Sequence, residues 1–158
     1  MITITAVLAV IMLIACSSGL YREQIAREKF QSIPQLPSSV LVSFVSGIDG
    51  GSSESCYSGY VDALYGTSTP KSEVIAFYHQ YVQNDEWAVN TEATTDLGLF
   101  ASNRQEDYGL AVIVITPIGP TEVYYPSKIT KKDIENALSR FSTVYLILVS
   151  YHPDTEEC

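Results

Sequence analysis

Two stretches, residues 110–115 and 142–151, carry apolar side chains on both of the faces between which a strand alternates. In the second, Val144, Leu146 and Leu148 fall on one face and Tyr145, Ile147 and Val149 on the other. Segments of this kind belong at the centre of a sheet, and they set the frame into which the rest of the chain has to fit.

The remaining pattern supplies strands and two helices. Residues 40–45, VLVSFV, and residues 57–66 read as strands. Thr67, Ser68 and Thr69 then precede Pro70, a capping group followed by Pro at a first helical position. The helix is expected to run to about Gln83, with Val74, Phe77, Tyr78, Tyr81 and Val82 forming one apolar stripe. Three strands follow in series, at about 86–91, 98–103 and 108–116, and a short edge strand is expected at 122–125. Thr130 and Asp133 form a capping-box pattern flanked by Ile129 and Ile134 at the positions of a hydrophobic staple, so a second helix is predicted to end near Arg140. Runs of strands with two helices argue α+β, a mostly antiparallel sheet with both helices on one face, in a single domain over residues 40–158. The Gly- and Ser-rich residues 47–55, GIDGGSSES, read as a solvated loop. They lack both the carboxylate spacing of a calcium loop and the Gly-Lys-Ser/Thr of a phosphate loop.

Ahead of this domain, residues 1–15 form one apolar run that ends at Cys16. At ~1.5 Å per residue such a run reaches only ~22 Å. That is too short for ~30 Å of hydrocarbon but suits the apolar core of a cleaved export signal. Leu13, Ile14, Ala15 and Cys16 resemble the lipobox of bacterial lipoproteins. The resemblance implies residues 1–15 as a lipoprotein signal peptide, cleavage before Cys16, and lipid on Cys16. Two or three acyl chains give stable anchoring, placing the protein on the extracytoplasmic face of the cell membrane or outer membrane. The chain departs from the usual signal in having no basic residue before Arg22. The alternative is an uncleaved helix with a buried terminal Cys. Residues 16–39 read as a tether holding a short helix at 20–30 and then Pro34 and Pro37; alternatively, Ile33 and Leu36 pack along the domain edge. The strand ending in Tyr65, the Pro-started helix with Phe77 and Tyr78, and the Trp87 strand also look like a pattern in small bacterial lipoproteins, with Glu86 where Gly is usual. That likeness brings no activity with it.

In the exported compartment that the lipobox implies, the remaining pair, Cys56 and Cys158, is expected to form a disulfide. Closing so long a loop is worth at most ~4.7 kcal/mol. Asp and Glu number 18 against 9 Lys and Arg, a net charge of −9, which argues against nucleic acid and against anionic lipid as partners of the folded domain. No cofactor or metal set is visible: His79 and His152 stand alone, and Asp62, Asp85, Glu86 and Asp133 form no evident pair. The eleven Tyr suit half-buried sheet faces, and Tyr57 with Tyr60, or Tyr124 with Tyr125, are the candidate contact residues of a binding patch. Those rings could equally cover a sheet edge. The expected function is a membrane-anchored extracytoplasmic lipoprotein with a non-enzymatic binding or accessory domain, engaging an envelope protein or polymer. The alternative is a small envelope hydrolase or metal-dependent enzyme.

Overall fold

Antiparallel pairing lays the two doubly apolar segments side by side. The computed structural model describes residues 20–50, 57–83, 86–96, 98–103, 107–115 and 127–152. Residues 20–32 form helix α1. Strands β1 (Val40–Gly50) and β2 (Tyr57–Thr67) precede helix α2 (Lys71–Val82). Strands β3 (Trp87–Val89), β4 (Gly98–Asn103) and β5 (Tyr108–Ile115) follow, then helix α3 (Lys131–Arg140) and strand β6 (Thr143–Tyr151). The six strands make one sheet in the order β1-β2-β6-β5-β4-β3, with every neighbouring pair antiparallel. The last strand in sequence thus closes the sheet, joining the β1–β2 hairpin to the β3–β4–β5 meander. The fold is α+β, as the strand and helix pattern implies.

The helices do not share a face. Val61, Ala63, Tyr65, Val112, Tyr145 and Ile147 point into one cluster with Val74, Tyr78 and Val82 of α2. Leu64, Val144 and Leu146 point the other way, into a second cluster with Ile129 and with Ala137 of α3. The expectation of α2 and α3 on one face is therefore corrected, and the cause lies in β2 and β6 themselves. Both present apolar residues on alternate sides, so each side needs its own cover. Asp133 N–H donates to Thr130 Oγ1 at 3.2 Å, and Thr130 Oγ1 donates to Asp133 Oδ2 at 2.8 Å, so α3 starts at the capping pair read from the sequence. α2 has no side-chain cap; Pro70 occupies the cap position. Thr67 and Thr69 instead use their hydroxyls on Ser38. Strand β1 also runs further than expected, through the Gly-containing stretch to Gly50.

Residues 20–39 are not a tether. Ala26, Ile33 and Leu36 are buried in the same cluster as α2. Burying an aliphatic side chain such as Ile33 or Leu36 is worth roughly 1.5–3 kcal/mol. Glu23 accepts from Ser46 Oγ of β1 at 2.6 Å and from Arg27 Nε at 2.9 Å. The Ser46 hydroxyl, ahead of Arg27, holds the Glu23 carboxyl below its ordinary value. At the other end of the helix, Lys29 Nζ lies 5.3 Å from the Trp87 ring and 5.1 Å from the Tyr108 ring. α1 is thus a strap across the sheet from β1 to β3. Among the described residues no helix is long and apolar enough to cross a membrane.

The strap seats directly on β2, because a Cβ at Gly59 would fall on the Arg22 carbonyl. The obstacle is backbone, so Gly59→Ala must displace α1. A loss of about 1–3 kcal/mol is expected from urea unfolding. Gly47→Ala, which meets only the Tyr60 ring at 3.0–3.3 Å, is the milder control. Equal stability of both variants would show that α1 is not held there.

Candidate functional site

At ~1.5 Å per residue, α3 spans only ~15 Å, less than the face it covers. The pairing registers show what lies beyond it. Nearest α3, Leu64 pairs with Leu146 and Leu146 with Ile113. The next row on this face is Asp62, Leu148, Ala111 and Phe100. The row after that is Tyr60, Ser150, Gly109 and Ser102. Beyond the apolar Leu148 and Phe100, the outermost row is polar or bare of side chain. The result is a cleft of about 600 Å³, floored by the two outer rows and rimmed by Asp49, Ser58, Asn90, Lys128 and His152. Gly109 keeps the floor low, since a Cβ there would press on Ser150 Oγ at 2.7 Å.

One wall of the cleft is polar and internally bonded. Asp62 is 4% exposed, the one buried carboxylate among the described residues. Its Oδ2 accepts the Lys128 backbone N–H at 2.5 Å, and the nearby Ser127 hydroxyl also favours its charged form. Burial pushes the Asp62 carboxyl up, against the opposing pull of those two donors. This anchorage fixes the segment that leads into α3 and sets Lys128 over the cleft. Lys128 Nζ lies 3.3 Å from Asp49 Oδ2 and 5.9 Å from the centre of the Tyr60 ring. The Tyr60 ring has room because its partner across the β1–β2 pair is Gly47. At the rim, Ser58 Oγ and His152 Nδ1 are 2.7 Å apart, and the His152 backbone N–H donates to the Asp107 carbonyl at 2.7 Å.

Of the expected contact residues, Tyr60 lines this cleft. The backbone of Tyr57 opens β2 opposite Gly50. Cys16, Cys56, Tyr124, Tyr125 and Cys158 lie outside the described residues, as does the edge strand expected at 122–125. His79 belongs to α2, which packs on the other face of the sheet, so the two His are not brought into one site. Among the described residues no group of three or more His, Cys, Asp or Glu comes together as a metal site. Sequence reasoning missed Lys128 altogether and treated Asp49 as part of a loop. Asp62, Ser58 and His152 could have been grouped only through the register of β2 against β6, which the sequence does not print. The arrangement can take up an apolar body on its floor and offer hydrogen-bond donors from its wall.

The Asp62 geometry fixes a pH dependence. A carboxyl whose folded pKa is raised contributes stability that is fully present below its unfolded value of ~3.9. That contribution is lost as pH rises through the folded value. Asp62→Asn keeps an acceptor for the Lys128 N–H and removes the titration. Its stability relative to wild type is therefore expected to rise between pH 3 and pH 7 in paired thermal melts. Asp62→Ala leaves that N–H without its partner and is expected to cost about 1–3 kcal/mol. A flat Asn-minus-wild-type difference across the range would overturn the assignment. No family model, curated protein or solved structure matches this chain.

Proposed function

We propose that this chain is an extracytoplasmic lipoprotein, anchored to the cell membrane or outer membrane through lipid on Cys16. Its domain binds a ligand without transforming it. The observation that carries the binding half is the cleft itself, a concave and largely apolar floor with a few placed polar groups, the usual make-up of a ligand site. The anchoring half rests on the Leu13-Ile14-Ala15-Cys16 resemblance and the short apolar run before it. The fold adds a consequence. Helix α1 is already formed at residue 20, so about four residues, reaching at most ~14 Å, join Cys16 to the packed domain. The domain would sit close against the bilayer, with Leu20 and Tyr21 exposed at the end nearest the anchor.

The Ser58–His152 contact is what favours the alternative, a small envelope hydrolase. A hydroxyl nucleophile needs a base that is itself oriented by a third group. Among the described residues no carboxylate bonds to the His152 ring, and the two residues meet as neighbours at the ends of paired strands, β2 and β6. We therefore read the pair as a cross-strand hydrogen bond. The oxidised Cys56–Cys158 pair belongs to the same proposal. Cys56 directly precedes β2 and Cys158 follows the end of β6 by seven residues, and those strand ends adjoin in the sheet, with Gly59 opposite Tyr151.

One set of measurements on cells expressing the chain tests the reading. Wild type is expected to incorporate labelled palmitate and Cys16→Ala to lose it. Peptide mapping without reductant is expected to recover a fragment linking Cys56 to Cys158. A fluorophosphonate reagent is expected to leave the protein unmodified. Lipid-free wild type would remove the anchor, free thiols would remove the bridge, and labelling that disappears in Ser58→Ala would replace the binding reading by the hydrolase.

A further inference from the structure

We propose that the cleft takes an uncharged amphiphile, an apolar chain carrying an ester, amide or alcohol head; this rests on the binding reading above. A volume of about 600 Å³ lies inside the range of about 300–1,000 Å³ typical of small-molecule sites. The apolar part of the ligand lies along Phe100, Ala111 and Leu148, which share one row of the sheet. The polar part is selected by what the wall still has to offer. One oxygen of each carboxylate there is engaged, Asp62 Oδ2 by the Lys128 N–H and Asp49 Oδ2 by the Lys128 ammonium. Donors remain: an ammonium has three N–H groups, and Asp49 accounts for one. Tyr60, Ser102 and Ser150 also bring hydroxyls to the lining. A head that accepts hydrogen bonds is therefore favoured over one that only donates.

Charge then removes the ionic heads. An anion at the wall meets two carboxylates against one ammonium, in a chain of net charge −9, within a screening length of ~8 Å. A cation is drawn by that same charge, but it finds Asp49 already held by Lys128 at 3.3 Å, whose ammonium repels it. A neutral acceptor pays neither penalty. A domain held within ~14 Å of a bilayer also has such molecules at hand.

The test uses the full chain carrying Cys16→Ala, with Ala111→Trp added as the variant whose floor is filled. Ser102→Trp, at the exposed edge of the floor, serves if Ala111→Trp does not fold. Three ligands sharing a decyl chain are titrated calorimetrically below their micelle concentrations: monodecanoylglycerol, decanoate and decyltrimethylammonium. The glycerol ester is expected to bind at least about tenfold tighter than either ion. Its binding is expected to vanish in the filled variant, whose melting curve stays cooperative. Cleft-dependent binding that favours the anion or the cation overturns the ligand class and leaves the binding reading standing. Absence of cleft-dependent binding by all three overturns both. A second arm offers the ester in phosphatidylcholine vesicles. Transfer to the protein fraction identifies extraction from a bilayer, and uptake only from solution identifies a soluble source; either supports the class.

Discussion

Strand β6 sets the terms for everything around it. Val144 and Leu146 point to one side of the sheet and Tyr145, Ile147 and Val149 to the other, and all five are buried. A strand with two apolar faces has to be covered twice. The chain meets this unequally. Among the described residues, helices α1 and α2 lie across the first face and α3 is the one helix on the second. The cleft is the part of the second face that α3 does not reach, so the candidate site follows from the same constraint as the fold.

The fully covered face shows what complete packing looks like here. The rings of Tyr65 and Tyr145 stack at 5.4 Å, and Tyr78 meets Tyr145 at 5.9 Å. Tyr145 donates to Ser39 Oγ at 2.7 Å, and the Tyr78 hydroxyl lies 3.4 Å from that of Tyr145. Burial raises all three phenols, Tyr65 to about 12. Ser39 closes the link between α1 and β1, so this hydroxyl chain pins the strap to the middle of the sheet. The Tyr65 hydroxyl is buried with no hydrogen-bond partner among the described residues, a group whose desolvation costs about 1–3 kcal/mol. Ring stacking of the kind it makes with Tyr145 offsets about 0.5–1.5 kcal/mol of that. Three of the eleven Tyr that stand out in the sequence are consumed in this way.

What was legible in the sequence is what local chemistry signals. The Thr130–Asp133 pair starts α3, the Val74–Tyr78–Val82 spacing faces α2 inward, and the doubly apolar runs become β5 and β6. What was not legible depends on contacts distant in the chain. α1 is seated by the absence of a side chain at Gly59 and by the small Ala26, neither of which leaves an apolar stripe to see. Gly47 looks like loop punctuation, yet it is a strand residue that makes room for the Tyr60 ring. Asp62 finds its donor on the backbone 66 positions away, so no side-chain pattern announces the pair. The faces of the helices were equally hidden, because amphipathic spacing says that a helix packs but not on which side of a sheet.

The part of the second face beyond α3 is built differently from the part beneath it. A bare sheet surface of Leu and Ile would leave apolar area in water at about 25 cal/mol for each Å². Here the floor keeps Leu148 and Phe100 but sets Gly109, Ala111, Ser102 and Ser150 beside them, so it presents less apolar area than the rows beneath α3. The polar wall has the same origin. Burying the Asp62 carboxylate is unfavourable in itself, and its return is to seat Ser127 and Lys128 at the cleft edge. Once Lys128 is placed, Asp49 and Tyr60 have a common partner on the wall. Small residues where a helix could have packed, beside a buried carboxylate that positions a lysine, make a recess with an apolar base and a donor-bearing rim. Such a recess suits a ligand that brings its own apolar surface to finish the core.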